Sequence, residues 1–223
     1  AMQTSGRFVQ METPLTAAER AAGQRAALLT NIGTGVFLSV ITGPMMMLYA
    51  SRVLELSPGE VGSILGCLAI TALLQPFFIM ATNRFGLKRA TSAFFLIAPF
   101  ILAPLFFISP EILSDRKLLL IAFGGMIFII YGTRQALMGV AWQPLMRNIT
   151  TLEDRGRFFG RMRASFMGVS LIFLAACTLL IGQEIQAWHY HAMLWLLIAL
   201  SIFAYWHSRS IPDIRESGGK TYG

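Results

Sequence analysis

Charge is what this sequence has least of. Only 13% of its 223 residues are Asp, Glu, Lys or Arg, while 55% are hydrophobic. A soluble domain carries about twice that charged share. Carboxylates are scarcer than bases, 11 against 18. Of the six long apolar segments delimited below, only the fifth contains an acidic residue, Glu184 at its outer end, so no midplane proton carrier is evident. Cysteine is nearly absent: Cys67 and Cys177 each lie inside an apolar segment, as packing residues do, and offer neither a disulfide framework nor a thiolate metal set. No zinc spacing, phosphate loop or nucleophile triad is present, so no enzyme, cofactor or metal is expected. Residues 1–25 lack the apolar core of a secretory leader, so no cleavable signal peptide is expected.

What is abundant is long apolar sequence. Six segments are each about the length that crosses a bilayer as a helix: Ala26–Ala50, Val61–Ala81, Ala90–Ile108, Leu118–Met146, Ala164–Ile185 and the shorter Ala192–His207. An all-α integral membrane protein follows, a bundle of six transmembrane helices over residues 26–208. A cytoplasmic N-terminal segment (1–25) with a short interfacial helix precedes it, and a cytoplasmic tail (209–223) follows. Fourteen of the 18 basic residues fall on one side of this arrangement, and only Arg52, Arg116 and Lys117 on the other. Such asymmetry marks the cytoplasmic face, so both termini are expected there. The sequence pI near 10 is therefore read as membrane anchoring, with no nucleic-acid partner.

Local signals place the elements. Thr16-Ala17-Ala18-Glu19 reads as a capping box that starts the interfacial helix. Ser57-Pro58 reads as an N-cap followed by proline at the first helical position. Gly35, Ser39 and Gly43 form a small-residue stripe ahead of Pro44, where partial unwinding is expected. Gly62 with Gly66, and Gly160 with Ala164 and Gly168, form two more stripes. Thr82–Arg89 is a basic hairpin loop in which Gly86 supplies the turn. Arg147–Arg163 is a second basic segment, in which Thr151–Asp154 reads as a helix start. Gln75-Pro76 and Gln143-Pro144 interrupt two segments, either as broken points of a solute pathway or as packing kinks. Trp188-His189-Tyr190-His191, on the outer turn Gln186–His191, reads as interfacial rather than metal-binding.

Arg134 is the only charge deep inside an apolar segment. Placing arginine at a helix centre costs about 2.5–3.5 kcal/mol on insertion scales, so it is expected to face a cavity or a partner. One reading makes it a substrate contact or coupling site, with Tyr131, Gln75, Gln143, Asn31 and Thr34 along the same pathway. The other has it satisfied by polar groups of neighbouring segments, such as Asn31, Thr34 or Gln75.

The loops carry a resemblance. Asn83-Arg84-Phe85-Gly86-Leu87-Lys88-Arg89 is similar to the loop between helices 2 and 3 of major facilitator superfamily transporters, Gly-x-x-x-Asp-(Arg/Lys)-x-Gly-(Arg/Lys)-(Arg/Lys). Arg84, Gly86 and Lys88 match, and Arg89 adds a further charge. Ile79, Asn83 and Leu87 replace the glycine, the aspartate and one basic residue. Asp154, Arg155, Gly156, Arg157 and Gly160 resemble the family's second cytoplasmic loop. Arg134 matches its helix 4 motif, with Gly139 one place late, and Arg209–Asp213 looks like the exit into its central linker.

The resemblance covers about 26–213 and implies the N-terminal six-helix half of such a transporter, built of two inverted three-helix repeats. It implies a bacterial inner-membrane location and transport of a small solute by alternating access, which needs a second bundle. That bundle is the C-terminal half, a homodimer mate or other membrane subunits. The alternative is a transporter-derived structural or assembly subunit of a larger membrane complex.

Overall fold

The computed structural model describes residues 15–181 and 185–212. Expectations for residues 1–14, Glu184 and the tail from 213 lie outside the described residues. Among the described residues six helices are long and apolar enough to cross a membrane, the pattern of a multi-pass membrane protein. Span 1 is Ala17–Arg52, span 2 Pro58–Phe85, span 3 Leu87–Phe107, span 4 Arg116–Asn148, span 5 Arg155–Ile181 and span 6 Ala187–Ser208. Among the described residues there is no strand.

The helix starts follow their caps. Thr16 accepts from the Glu19 backbone N–H, and the Glu19 carboxylate accepts from the Thr16 backbone N–H at 2.9 Å. The helix so begun runs from Ala17 to Asn31, straight into the first apolar segment. Ser57 and Glu60 form a second capping box, with Pro58 in the first turn. Thr151 and Asp154 do the same ahead of span 5: the Thr151 N–H donates to Asp154 Oδ1 at 2.6 Å, and the Asp154 N–H donates to Thr151 Oγ1 at 3.2 Å.

These caps correct three expectations. Span 5 begins at Arg155, so Arg155, Gly156, Arg157 and Gly160 lie on its helix, and only Asp154 remains in a connection. The hairpin Thr82–Arg89 contracts to one residue. Thr82, Asn83 and Arg84 finish a helix that ends at Phe85, and the next helix, from Leu87, carries Lys88 and Arg89. Gly86 alone turns the chain, at φ +84°, a backbone conformation that costs glycine nothing. Span 6 starts at Ala187, where the Gln186 backbone N–H donates to His189 Nδ1 at 3.0 Å and the His189 N–H to the Gln186 carbonyl at 3.1 Å. Trp188-His189-Tyr190-His191 is thus helix, and residues two apart on a helix point to different faces.

Proline sets the irregular turns. Pro76 cannot donate to Ala72, and the turn before it tightens to 3₁₀ over Leu68–Leu74, with the Gln75 N–H on the Ala72 carbonyl. Pro144 cannot donate to Val140, and the preceding turn widens instead to a π-helix, Met138–Trp142. Pro44 breaks span 1 after the extended Gly43, as its sequence position predicts. The carbonyl Pro44 leaves unpaired is that of Val40. Tyr190 Oη of span 6 donates to it at 3.2 Å while stacking on Tyr49 at 3.9 Å, and Tyr49 Oη donates to the Ile108 carbonyl at 3.2 Å.

The main core joins all six spans around Tyr49, Phe123, Ile127, Tyr190 and Leu194, with span 5 contributing Cys177. A second cluster ties the ends of the bundle: Ala26, Ala27, Trp142, Met146, Ile149, Phe158 and Ile211. Gly23 sits at its edge, where a Cβ would lie 2.7 Å from Pro212 Cδ and 3.1 Å from Ile149. Span 1 therefore meets both the span 4–5 connection and the exit of span 6 at one end of the molecule.

Candidate functional site

Three elements place Arg134. Its own helix, Arg116–Leu137, is apolar and carries the side chain inward. Gly132 lets that helix close on span 2: a Cβ there would fall 2.8–3.1 Å from Leu74 and Thr71. Span 1 then presents Thr34 and Phe37 to the guanidinium. One terminal nitrogen, Nη2, donates to Thr34 Oγ1 at 2.7 Å, and the guanidinium carbon sits 4.4 Å from the centre of the Phe37 ring. Cation–π geometry of this kind counts for more in a desolvated place. Arg134 is only 8% exposed and has no carboxylate partner among the described residues.

The polar chain continues beyond Thr34. Thr34 donates to Asn31 Oδ1 at 2.8 Å, and Asn31 Nδ2 donates to the Met162 carbonyl of span 5 at 3.3 Å. One line of hydrogen bonds thus runs from span 4 through span 1 to span 5. Asn31 and Thr34 take the place expected of them. The other three named residues do not join the line. Tyr131 packs, half-buried, against the main core. Gln143 is exposed. Gln75 is half-buried and faces the π-helical turn of span 4, where a Cβ on Gly139 would lie 3.6 Å from its Nε2.

Two cavities of about 20 Å³ each adjoin the guanidinium. Phe94, Phe95, Ala98, Leu102 and Ile130 line one; Thr30, Gly33, Thr34 and Leu197 line the other; Phe37, Arg134 and Ser201 belong to both. Phe37, the aromatic pair of span 3 and Ser201 were not singled out in the sequence. Their signal is faint, because an aromatic residue or a serine in an apolar helix looks like any other packing residue.

The basic residues gather away from this site. Asn83, Arg84 and Arg89 are exposed at the Gly86 turn, and Lys88 is half-buried there. Arg155 Nε donates to Thr150 Oγ1 at 3.4 Å. Asp154 is fastened to span 1 by Gln24, whose Nε2 reaches its carboxylate at 3.0 Å and the Ile149 carbonyl at 3.1 Å. Desolvation favours the neutral acid at Asp154. The hydrogen bonds from Gln24 and Thr151, with Arg20 nearby, outweigh it and hold the carboxyl below its usual value. At the opposite end Arg116 clamps the Glu60 carboxylate at 2.7 and 3.0 Å and the Glu55 carbonyl at 3.2 Å. Glu55 itself holds φ +54° there.

The small-residue stripes divide sharply. On span 1, Gly35 is pressed against span 5: a Cβ would lie 2.4 Å from the Phe166 carbonyl oxygen. Ser39 Oγ meets Ser170 Oγ at 3.2 Å. Gly43 serves the Pro44 break instead, with its nearest atoms on Leu38 and Ser39. A Cβ added at Gly62, Gly66, Gly160 or Gly168 would meet no atom of the described residues beyond its own helix within 4 Å. Against these features, no family model, no curated protein and no solved structure matches the chain.

Proposed function

We propose that this chain is one six-helix half of a secondary transporter of the major facilitator type, moving a small solute against a second bundle. Arg134 carries this reading. It is a fixed positive charge in the middle of a membrane span, it lacks a carboxylate partner among the described residues, and it lies beside two cavities. A residue so costly to bury belongs to a solute path or a coupling element.

Three further observations support it. Spans 1 and 5 pack together as spans 4 and 2 do; spans 1 and 6 pack as spans 4 and 3 do; spans 3 and 6 pack on each other. Exchanging the first three spans with the last three leaves that pattern unchanged, as paired three-helix repeats require. Two contacts lack a counterpart: spans 2 and 3 meet where spans 5 and 6 make no comparable contact, and spans 1 and 2 meet where spans 4 and 5 make none comparable. The one-place offset of Gly139 falls inside the π-helical turn, which absorbs one extra residue in an α-helix. The bare glycines of spans 2 and 5 suit a second bundle closing over them.

A specific observation also favours a non-transporting subunit. Arg134 is already held inside its own bundle by Thr34 and Phe37, and each cavity beside it offers only about 20 Å³. Flux decides between the two. Proteoliposomes are tested for uptake of a panel of small anionic and amphipathic solutes. The transport reading expects uptake of at least one solute, impaired in Arg134→Lys and abolished in folded Arg134→Ala. Absence of uptake, with other membrane proteins co-purifying, gives the subunit.

A further inference from the structure

We infer that Arg134 keeps a resident monatomic anion of chloride size in the cavities beside it. The charge balance requires it. A guanidinium does not surrender its proton, and this one is buried in a membrane span away from every described carboxylate. Among the described residues its five N–H groups have one hydrogen-bond partner, Thr34 Oγ1. Phe37 covers a face of the guanidinium and satisfies none of the in-plane donors.

The cavity walls select the ligand. Every hydroxyl proton on them is already spent: Thr30 donates to the Ala26 carbonyl, Thr34 to Asn31, and Ser201 to the Leu197 carbonyl at 2.8 Å. The remaining lining of the first cavity is apolar. The strong donors left to a guest are therefore the Arg134 N–H groups, which an anion accepts and a cation repels. The hydroxyl oxygens turn lone pairs toward any guest, so a large oxyanion gains nothing from them. Each cavity offers about 20 Å³ beside the guanidinium, room on the scale of one small ion. A water molecule fits the same space but leaves the charge uncompensated.

This inference rests on the burial of Arg134 and not on transport, since a structural subunit would need the same counter-charge. The test uses the purified full chain in mild detergent, melted in sodium chloride, bromide or gluconate at equal ionic strength, with radiolabelled chloride binding measured in parallel. Chloride at about five times its Kd is expected to raise Tm by roughly 2–4 °C over gluconate. Bromide should act likewise, and labelled chloride should bind near one per chain. Arg134→Gln should lose both effects. Should that variant fail to fold, Ser201→Leu, which fills both cavities and leaves Arg134 in place, should lose chloride binding. Equal Tm in chloride and gluconate for the wild-type chain overturns the inference. So does chloride binding that persists at wild-type affinity in either variant.

Discussion

Gly35 and Gly168 are the same residue in opposite circumstances. Gly35 lets span 1 come so close to span 5 that a single added carbon would lie 2.4 Å from a backbone oxygen. Gly168 lies on that same span 5, two residues beyond Phe166, and a Cβ added there would meet no atom of the described residues beyond its own helix within 4 Å. Span 1 is the most covered of the six helices, and span 5 the least. The difference teaches that the bundle has a finished interior and an unfinished flank. Inside, small residues are used up in close helix contacts, and a line of hydrogen bonds runs from Arg134 to Met162. On spans 2 and 5 the small residues stand open, where glycine weakens a helix and gains no packing in return.

Substituting the two glycines alike gives the largest expected effect. Gly35→Ala should cost about 3 kcal/mol, because backbone and not a flexible side chain must move. Gly168→Ala should gain about 0.5–1 kcal/mol in the isolated chain from helix propensity alone. Thermal melts of both purified variants check the pair, and equal effects would erase the contrast between interior and flank. The polar line comes next. Thr34→Val keeps the shape of the side chain but leaves both Arg134 and Asn31 without their partner, a loss of about 1–3 kcal/mol. Tyr190→Phe should fall in the same range of about 1–3 kcal/mol, since it orphans the Val40 carbonyl that Pro44 cannot serve. A Tyr190→Phe protein that melts like wild type would show that carbonyl finding another donor.

The smallest effect lies at the connection between spans 4 and 5. The Asp154 carboxyl is held below its usual value in the folded chain, so its contribution is complete above the unfolded value of 3.8 and is lost as pH falls through the folded value. The Tm difference between wild type and Asp154→Asn should therefore be constant near neutral pH and shrink below about pH 4. A gap that stays constant into that range would mean that Gln24 and Thr151 bind the neutral acid equally well.

Much of this was legible in the chain, and the reasons are physical. Membrane spans declare themselves because a bilayer demands long uncharged runs, and caps declare themselves because helix ends need specific donors and acceptors. Thr16–Glu19, Ser57-Pro58 and the Pro44 break follow from those demands. Connections were misjudged where a cap shortened them. Charged residues at Lys88 or Arg157 read as loop by composition, yet the nearby turn or cap keeps them helical. Arg134 with Thr34 and Asn31 was legible as a set of polar groups in apolar surroundings. Gln75 and Gln143 were drawn in by the same rule and stay outside the line, each following a 3₁₀ or π turn that shifts the register, while Tyr131 packs against the main core. Phe37 and the Tyr49–Tyr190 stack were illegible, since long-range aromatic contacts leave no local periodicity.

Whether the unfinished flank is covered in the membrane is the question on which the proposed function turns. The direct measurement is the intact mass of the assembly released from native membranes in mild detergent, with cysteines placed at Gly62 and Gly168 for cross-linking. A second bundle, from the same polypeptide, a second copy or another membrane protein, should appear in that mass and should cross-link through both positions. A solitary species of 24.6 kDa, with neither cysteine captured, would contradict the account.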